Sequence, residues 1–194
     1  MAIFTIEEVT RAAFSAAGVQ NREQFEKQST TYVLAETIKQ RTVTCFDIFL
    51  SHAYSDRAVV IGLYNILKGL GFSAYVDWIH DPQLNRQQIT PTTADVLRRR
   101  MQQSKSLIYA TTVNSGNSRW MPWECGFFHG HDGHVAILPV LATASTPFTG
   151  QEYLGLYPFA QKGPGTGRKS LRIHSQVNQL SAVEFDLWIA GTKP

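Results

Sequence analysis

The sequence predicts an α/β fold, a mostly parallel sheet with helices on both faces, preceded by an N-terminal helical extension. Three observations carry this. From residue 42 onward, short runs rich in β-branched and aromatic residues alternate with runs of helical period. Strand, helix, strand, helix at this spacing implies right-handed βα crossovers and hence parallel pairing. Finally, 194 residues at 43% apolar, with 11 Phe, 7 Tyr and 4 Trp, suffice for a real core in one domain of ordinary size with an appendage.

Residues 1–40 read as two helices set apart from the rest of the chain. Thr5 and Glu8 have capping-box spacing, and Val9, Ala12, Ala13 and Phe14 follow before Gly18 ends the run. Asn21 opens a second helix in which Phe25, Tyr32, Ala35 and Ile38 recur among polar residues. Both are amphipathic, so they pack either on the domain or on a partner subunit. The domain proper is expected over 41–194.

Thr42 to Leu50 reads as the first strand, buried on both faces from Phe46 except at Asp47. It runs into the polar turn Ser51-His52-Ala53-Tyr54-Ser55-Asp56 and then a helix with Val59, Leu63, Ile66, Leu67 and Leu70, ended by Gly71. Phe72–Val76 is the second strand. Asp77 to Thr90, polar, interrupted by Pro82 and without clear period, reads as a long loop. A basic helix with Ala94, Leu97 and Met101 precedes the third strand, Ser106–Thr111. Val135–Val140 is the fourth and Tyr153–Tyr157 a short fifth at the edge, while 162–169 is loop by composition. Ser181 and Glu184 have the spacing to cap a last helix carrying Val183, Leu187 and Trp188, although the same stretch alternates like a strand. The helix is the reading adopted.

Some function classes are excluded at this level. No run of 18 apolar residues exists, so no membrane span is expected. The first residues lack the basic n-region of a signal peptide, so a cytoplasmic protein is expected. Cys45 and Cys125 sit in apolar runs far apart and read as buried thiols rather than a disulfide. A net charge of +3 without an arginine stripe does not indicate nucleic acid. His129, His131 and His134, separated by glycines, read as a surface loop and not as a metal site.

The chemistry concentrates in Ser118 to Gly130, a mostly apolar helix with Asn117 or Ser118 as N-cap, Pro122 in the first turn and Gly130 at the C-cap. A lone carboxylate, Glu124, on a buried helix needs a reason, since an unpaired buried charge costs several kcal/mol. Trp120 lies four residues earlier on the same face, so an indole and a carboxylate adjoin, a floor suited to a flat ring and a developing positive charge. The alternative is that Glu124 pairs with an arginine or caps a loop. In parallel α/β sheets ligands lie at the carboxyl ends of the strands. There Ser51–Asp56, Asp77–Thr90 and Thr111–Glu124 meet.

Phe46-Asp47-Ile48-Phe49-Leu50-Ser51-His52-Ala53-Tyr54-Ser55-Asp56 resembles the opening strand and first loop of Toll/interleukin-1 receptor (TIR) domains. Trp120-Met121-Pro122-Trp123-Glu124 has the tryptophan-to-glutamate spacing of the family's enzymatic members, including the bacterial NAD+-consuming proteins of anti-phage defence. The resemblance spans about residues 44–160. It implies a flavodoxin-like three-layer fold with a five-stranded sheet. It also implies an NAD+ glycohydrolase or ADP-ribosyl cyclase in which Glu124 is the catalytic carboxylate. NAD+ is then substrate, and no cofactor is called for. Phe49, Trp78 and Trp120 are candidates to stack on the nicotinamide or adenine ring, and Ser51 and His52 to bond a ribose hydroxyl or phosphate. Also implied are a homo-oligomer whose active site is completed by a neighbour's long loop, and a downstream effector that senses the product. The loop from Asp77 lacks the proline-glycine pair that many TIR loops carry. Two other readings stay open at this point, a non-enzymatic TIR interaction module and a nucleoside deoxyribosyltransferase-like enzyme.

Overall fold

The computed structural model describes residues 3–84, 88–148, 150–178 and 181–194. Three of the loop positions expected after the second strand, 85–87, therefore lie outside the described residues, as do residues 1–2 of the N-terminal segment read against a signal peptide. The chain runs β1 (Phe4–Thr5), α1 (Ile6–Ala16), α2 (Arg22–Gln40), β2 (Ile48–Ser51), α3 (Arg57–Gly69), β3 (Ala74–Tyr75), α4 (Asp77–His80), α5 (Pro91–Gln102) and β4 (Leu107–Thr111). It continues with α6 (Trp120–His131), β5 (Val135–Leu141), β6 (Phe159–Lys162), β7 (Leu171–His174), β8 (Ala182–Glu184) and α7 (Phe185–Ile189).

The sheet has the order β3-β2-β4-β5-β6-β7-β8, with β1 pairing on β5. Pairing is parallel from β3 through β6 and antiparallel for β6-β7 and β7-β8. This is an α/β fold with helices flanking a mixed sheet, and the eight strands among the described residues correct the expected five. Side chains alternate across the sheet with period two. Ile48, Leu50, Ile108, Ala110, Ala136 and Leu138 face one core with α3 and α7, whereas Phe49, Leu107, Tyr109, Val135 and Ile137 face a second with α5 and α6.

Local signals near the N-terminus act as their chemistry dictates. Thr5 Oγ1 accepts the Glu8 N–H at 3.3 Å and Asn21 Oδ1 that of Gln24 at 3.0 Å, capping α1 and α2. Phe4–Thr5 pairs with Val140–Leu141, and Val9 sits in the α3-side core. Helix α1 lies so close to α3 that a Cβ on Gly62 would stand 1.9 Å from the Val9 carbonyl oxygen. Only glycine permits that approach.

Several expectations are corrected. The first strand begins at Ile48 rather than Thr42, and Cys45 is exposed, so of the two free thiols only Cys125 is buried. Asp77–His80 is not loop but a turn of helix, closed by Asp81 N–H on the Asp77 carbonyl at 2.6 Å. Tyr153–Tyr157 is not a strand. Residues Glu152–Leu156 wind into a 3-10 turn, and the strand after β5 comes later, at Phe159. The final segment is both readings in sequence, strand β8 and then α7. Helix α6 continues past Gly130 to His131, because Gly133, at φ +86°, supplies the left-handed residue that ends it.

Candidate active site

Helix α6 starts where the chain returns from the carboxyl end of β4, so its first turn overlies the ends of β2 and β4. Ser118 Oγ accepts the Met121 N–H at 3.3 Å, which gives this end a side-chain acceptor at Ser118 rather than Asn117. Pro122 falls in the first turn, where a missing N–H costs no helical bond. One turn after Trp120, Glu124 points to the sheet and is 0% exposed. There the last residue of β2, Ser51, also 0% exposed, donates its hydroxyl to Glu124 Oε2 at 2.6 Å. A hydrogen bond to an ionised carboxylate is about twice as strong as a neutral one, so this contact fixes the carboxylate's position as well as partly solvating it.

His52 comes next in the chain, nearly fully buried. Its Nδ1 lies 2.8 Å from the Leu50 carbonyl oxygen, and its Nε2 accepts the Trp78 indole N–H at 3.1 Å. The indole N–H can only donate and the carbonyl can only accept, so Nε2 faces a donor and Nδ1 an acceptor. Asp77 Oδ1 stands 3.4 Å from the same Nε2. The Arg57 guanidinium lies over the Trp78 ring at 5.3 Å. Asp56 binds the loop after β4 with both oxygens, accepting from Thr112 Oγ1 and Asn114 Nδ2 at 2.5 Å each.

These segments enclose a cleft of about 460 Å³, within the size range of small-molecule sites. His52, Ala53, Tyr54 and Ser55 form one wall, Asn114 and Asn117–Trp120 the other, and Ile89 stands at its mouth. The three segments expected at the strand ends thus all contribute. Glu124 follows Trp120 by one helical turn; Trp120, 7% exposed, lines the cleft, and neither Glu124 nor Ser51 does.

The expected site residues separate into groups. Ser51 and Glu124 touch each other, His52 and Trp120 line the cleft, and Trp78 meets it through His52. Phe49 is stacked on Tyr75 at 5.1 Å between ring centroids inside the α5–α6 core. Asp56, Asn114, Asn117 and Arg119, which no expected site role covered, also lie at the cleft or on its loops. The signal for them was position alone, polar residues in the first turns after β2 and β4.

No family model matches the chain. It is 41% identical over 194 residues to the "Probable 3' cyclic ADP-D-ribose synthase ThsB'" of Bacillus cereus (strain MSX-D12), covering 97% of this chain and 98% of that one. It is also 34% identical over 83 residues to the "Putative cyclic ADP-D-ribose synthase TIR2" of Cytobacillus dafuensis, covering 42% of this chain and 22% of that one.

Proposed function

The chain belongs to the TIR domain family, in its bacterial NAD+-consuming branch, and from that premise we propose how its residues cleave NAD+ and what they make. The enzyme breaks the bond between nicotinamide and ribose and generates an ADP-ribose-derived signal. The observation that supports the site assignment is a buried carboxylate, Glu124, bonded by Ser51, with the chain neighbour of Ser51 (His52) and the residue one helical turn before Glu124 (Trp120) both lining the cleft.

Nicotinamide in NAD+ is cationic at its ring nitrogen and leaves as a neutral base, taking the glycosidic electron pair. No general acid is required. The positive charge moves to the ribose, and a fixed carboxylate in a dry site stabilises it. Glu124 fills that role, and Ser51 is its positioning residue. Trp120 must turn aside for the ribose to reach the carboxylate, after which its ring and that of Trp78 offer faces for nicotinamide. A hydroxyl on the adenosine ribose then attacks the anomeric carbon and loses its proton, closing a cyclic product. The name of the Bacillus relative points to the 3′ position as the acceptor. The enzyme acts in the cytoplasm in anti-phage defence, and a separate effector reads the nucleotide.

A second copy completes the site. The apolar residues of the segment after β3 divide on this point: Ile79 is fully buried and Trp78 and Leu84 pack on their own domain, so these three do not argue for a neighbour. Ile89 does, at 60% exposure on the cleft mouth. Leu34 and Ile38, one turn apart on α2 and 62% and 69% exposed, offer the contact that holds two copies together.

The test is incubation of purified protein with NAD+ followed by chromatography and mass spectrometry. Free nicotinamide and a nucleotide one water lighter than ADP-ribose are expected. Linear ADP-ribose alone rejects cyclisation, and no nicotinamide from the assembled protein rejects the enzyme.

A further inference from the structure

The two walls of the cleft come from distant parts of the chain, and one side chain joins them. Asp56 follows the first wall, His52–Ser55, and is 8% exposed. Its backbone is held on both sides. The Asp56 N–H donates to the Ala53 carbonyl at 3.1 Å, and its carbonyl accepts the Val60 N–H at 2.8 Å in the first turn of α3. Its carboxylate reaches the opposite segment, where Oδ2 accepts from Thr112 Oγ1 and Oδ1 from Asn114 Nδ2, at 2.5 Å each.

The segment it grips is braced internally. Thr112 Oγ1 accepts the Asn114 N–H at 3.0 Å, and Ser115 Oγ donates to the Thr112 carbonyl at 2.8 Å. The Asn117 N–H donates to the Asn114 carbonyl and the Ser118 N–H to the Ser115 carbonyl, both at 3.1 Å. Ser118 in turn caps the start of α6, the helix that carries Trp120 and Glu124. The position of Asp56 is thereby passed along a continuous run of bonds to the catalytic helix. Asp56 also stands at the N-cap of α3, where aspartate is favoured because its side chain accepts N–H groups of the first turn. Among the described residues it makes no such bond. Both oxygens serve the other wall instead, in charge-assisted hydrogen bonds that are stronger and more directional than neutral ones.

On the premise that this cleft takes NAD+, we propose that Asp56 is a positioning residue for the cleavage. It sets the spacing of the two walls, and through them the placement of the ribose against Glu124, without touching the substrate. Neither Asp56 nor Thr112 lines the cleft, so changing either leaves every group that faces the substrate in place.

The test is steady-state NAD+ turnover of the full chain, normalised to folded protein by circular dichroism, together with amide hydrogen exchange over residues 112–118. Asp56→Ala should lower kcat/KM about 10- to 100-fold, the scale of a displacement of about 1 Å, and speed exchange at those amides. Thr112→Val keeps the shape, removes one donor and should lower kcat/KM several-fold. The double variant should be no worse than Asp56→Ala alone, because both changes break one bridge. Asp56→Asn should return kcat/KM to within about threefold of the parent chain, since an amide accepts from Asn114 and donates to Thr112 Oγ1. A purely structural Asp56 would leave kcat/KM per folded molecule within about twofold in Asp56→Ala, and that result overturns the proposal. So does a double variant whose losses multiply, or an Asn variant as impaired as Ala. If Asp56→Ala does not fold, Thr112→Val decides, and unchanged turnover with unchanged exchange overturns the bridge. Glu124→Gln run in parallel separates the two claims. Turnover retained there removes the site and the bridge with it, whereas turnover lost there but kept in Asp56→Ala removes the bridge alone.

Discussion

The two ends of the sheet both bury a carboxylate, and they treat it differently. At the amino end, Asp47 precedes β2 and accepts from Lys105 Nζ at 2.9 Å, Arg168 Nη1 at 3.1 Å and the Ser73 N–H at 3.1 Å. Arg168 also donates to Asp186 at 2.8 Å and to the Gly71 carbonyl at 2.8 Å, clamping the start of α7 to the end of α3. Burial alone would raise the Asp47 pKa. The bonds from Lys105, Arg168 and Ser73 outweigh it and hold the group at about 2. At the carboxyl end, Glu124 is oriented by a serine hydroxyl, and an open cleft lies one helical turn away. A carboxylate clamped by cations joins segments of chain. Under the proposed function, the carboxylate near the cleft meets charge that arrives with a substrate.

That contrast breaks first at Glu124. Glu124→Gln keeps volume and should lower NAD+ turnover by about a thousandfold or more, with an unchanged circular dichroism spectrum. Nicotinamide release within about tenfold of the parent chain would end the assignment. Ser51→Ala should reduce kcat by about 10- to 100-fold with little change in KM, the cost of one hydrogen bond to a charged group that positions rather than binds. A rise in KM alone would make Ser51 a substrate contact.

Smaller effects are expected from assembly. Ile38→Asp should lower activity per subunit several-fold in dilute solution and recover as protein concentration rises, tracked by light scattering. Equal specific activity from a monomer with substrate bound would exclude the composite site.

The amino end should leave turnover almost untouched. Asp47→Asn is expected to cost about 1–3 kcal/mol of stability and leave the activity of folded protein within about twofold. The sign of its pH dependence comes from the depressed pKa. Since the folded value lies below that of an unfolded aspartate, at about 4, the contribution is fully present above about pH 4 and disappears as pH falls toward about 2. Melting temperatures of the parent chain and Asp47→Asn should therefore converge in that window. A gap that persists at pH 2 would show that packing, and not the ion cluster, holds this end.

Much of this architecture is legible in the sequence. The caps at Thr5 and Asn21, the alternation of β2, β4 and β5, and the one-turn spacing of Trp120 and Glu124 are written in adjacent residues, because side-chain period and capping act over four positions or fewer. So is the meeting of the loops after β2, β3 and β4, which parallel crossovers force to one end of a sheet. The tertiary structure decided the rest. It joined Phe4 to Val140, added antiparallel β7 and β8 beyond β6, put Phe49 into the core and left Ile89 at the mouth of the cleft. It also set the two partners of the His52 ring, a carbonyl two residues away and an indole 26 residues away. The physical reason is common to all of these. Strand edges, aromatic faces and buried polar groups accept many partners of the same chemistry, and only packing of the whole chain selects one.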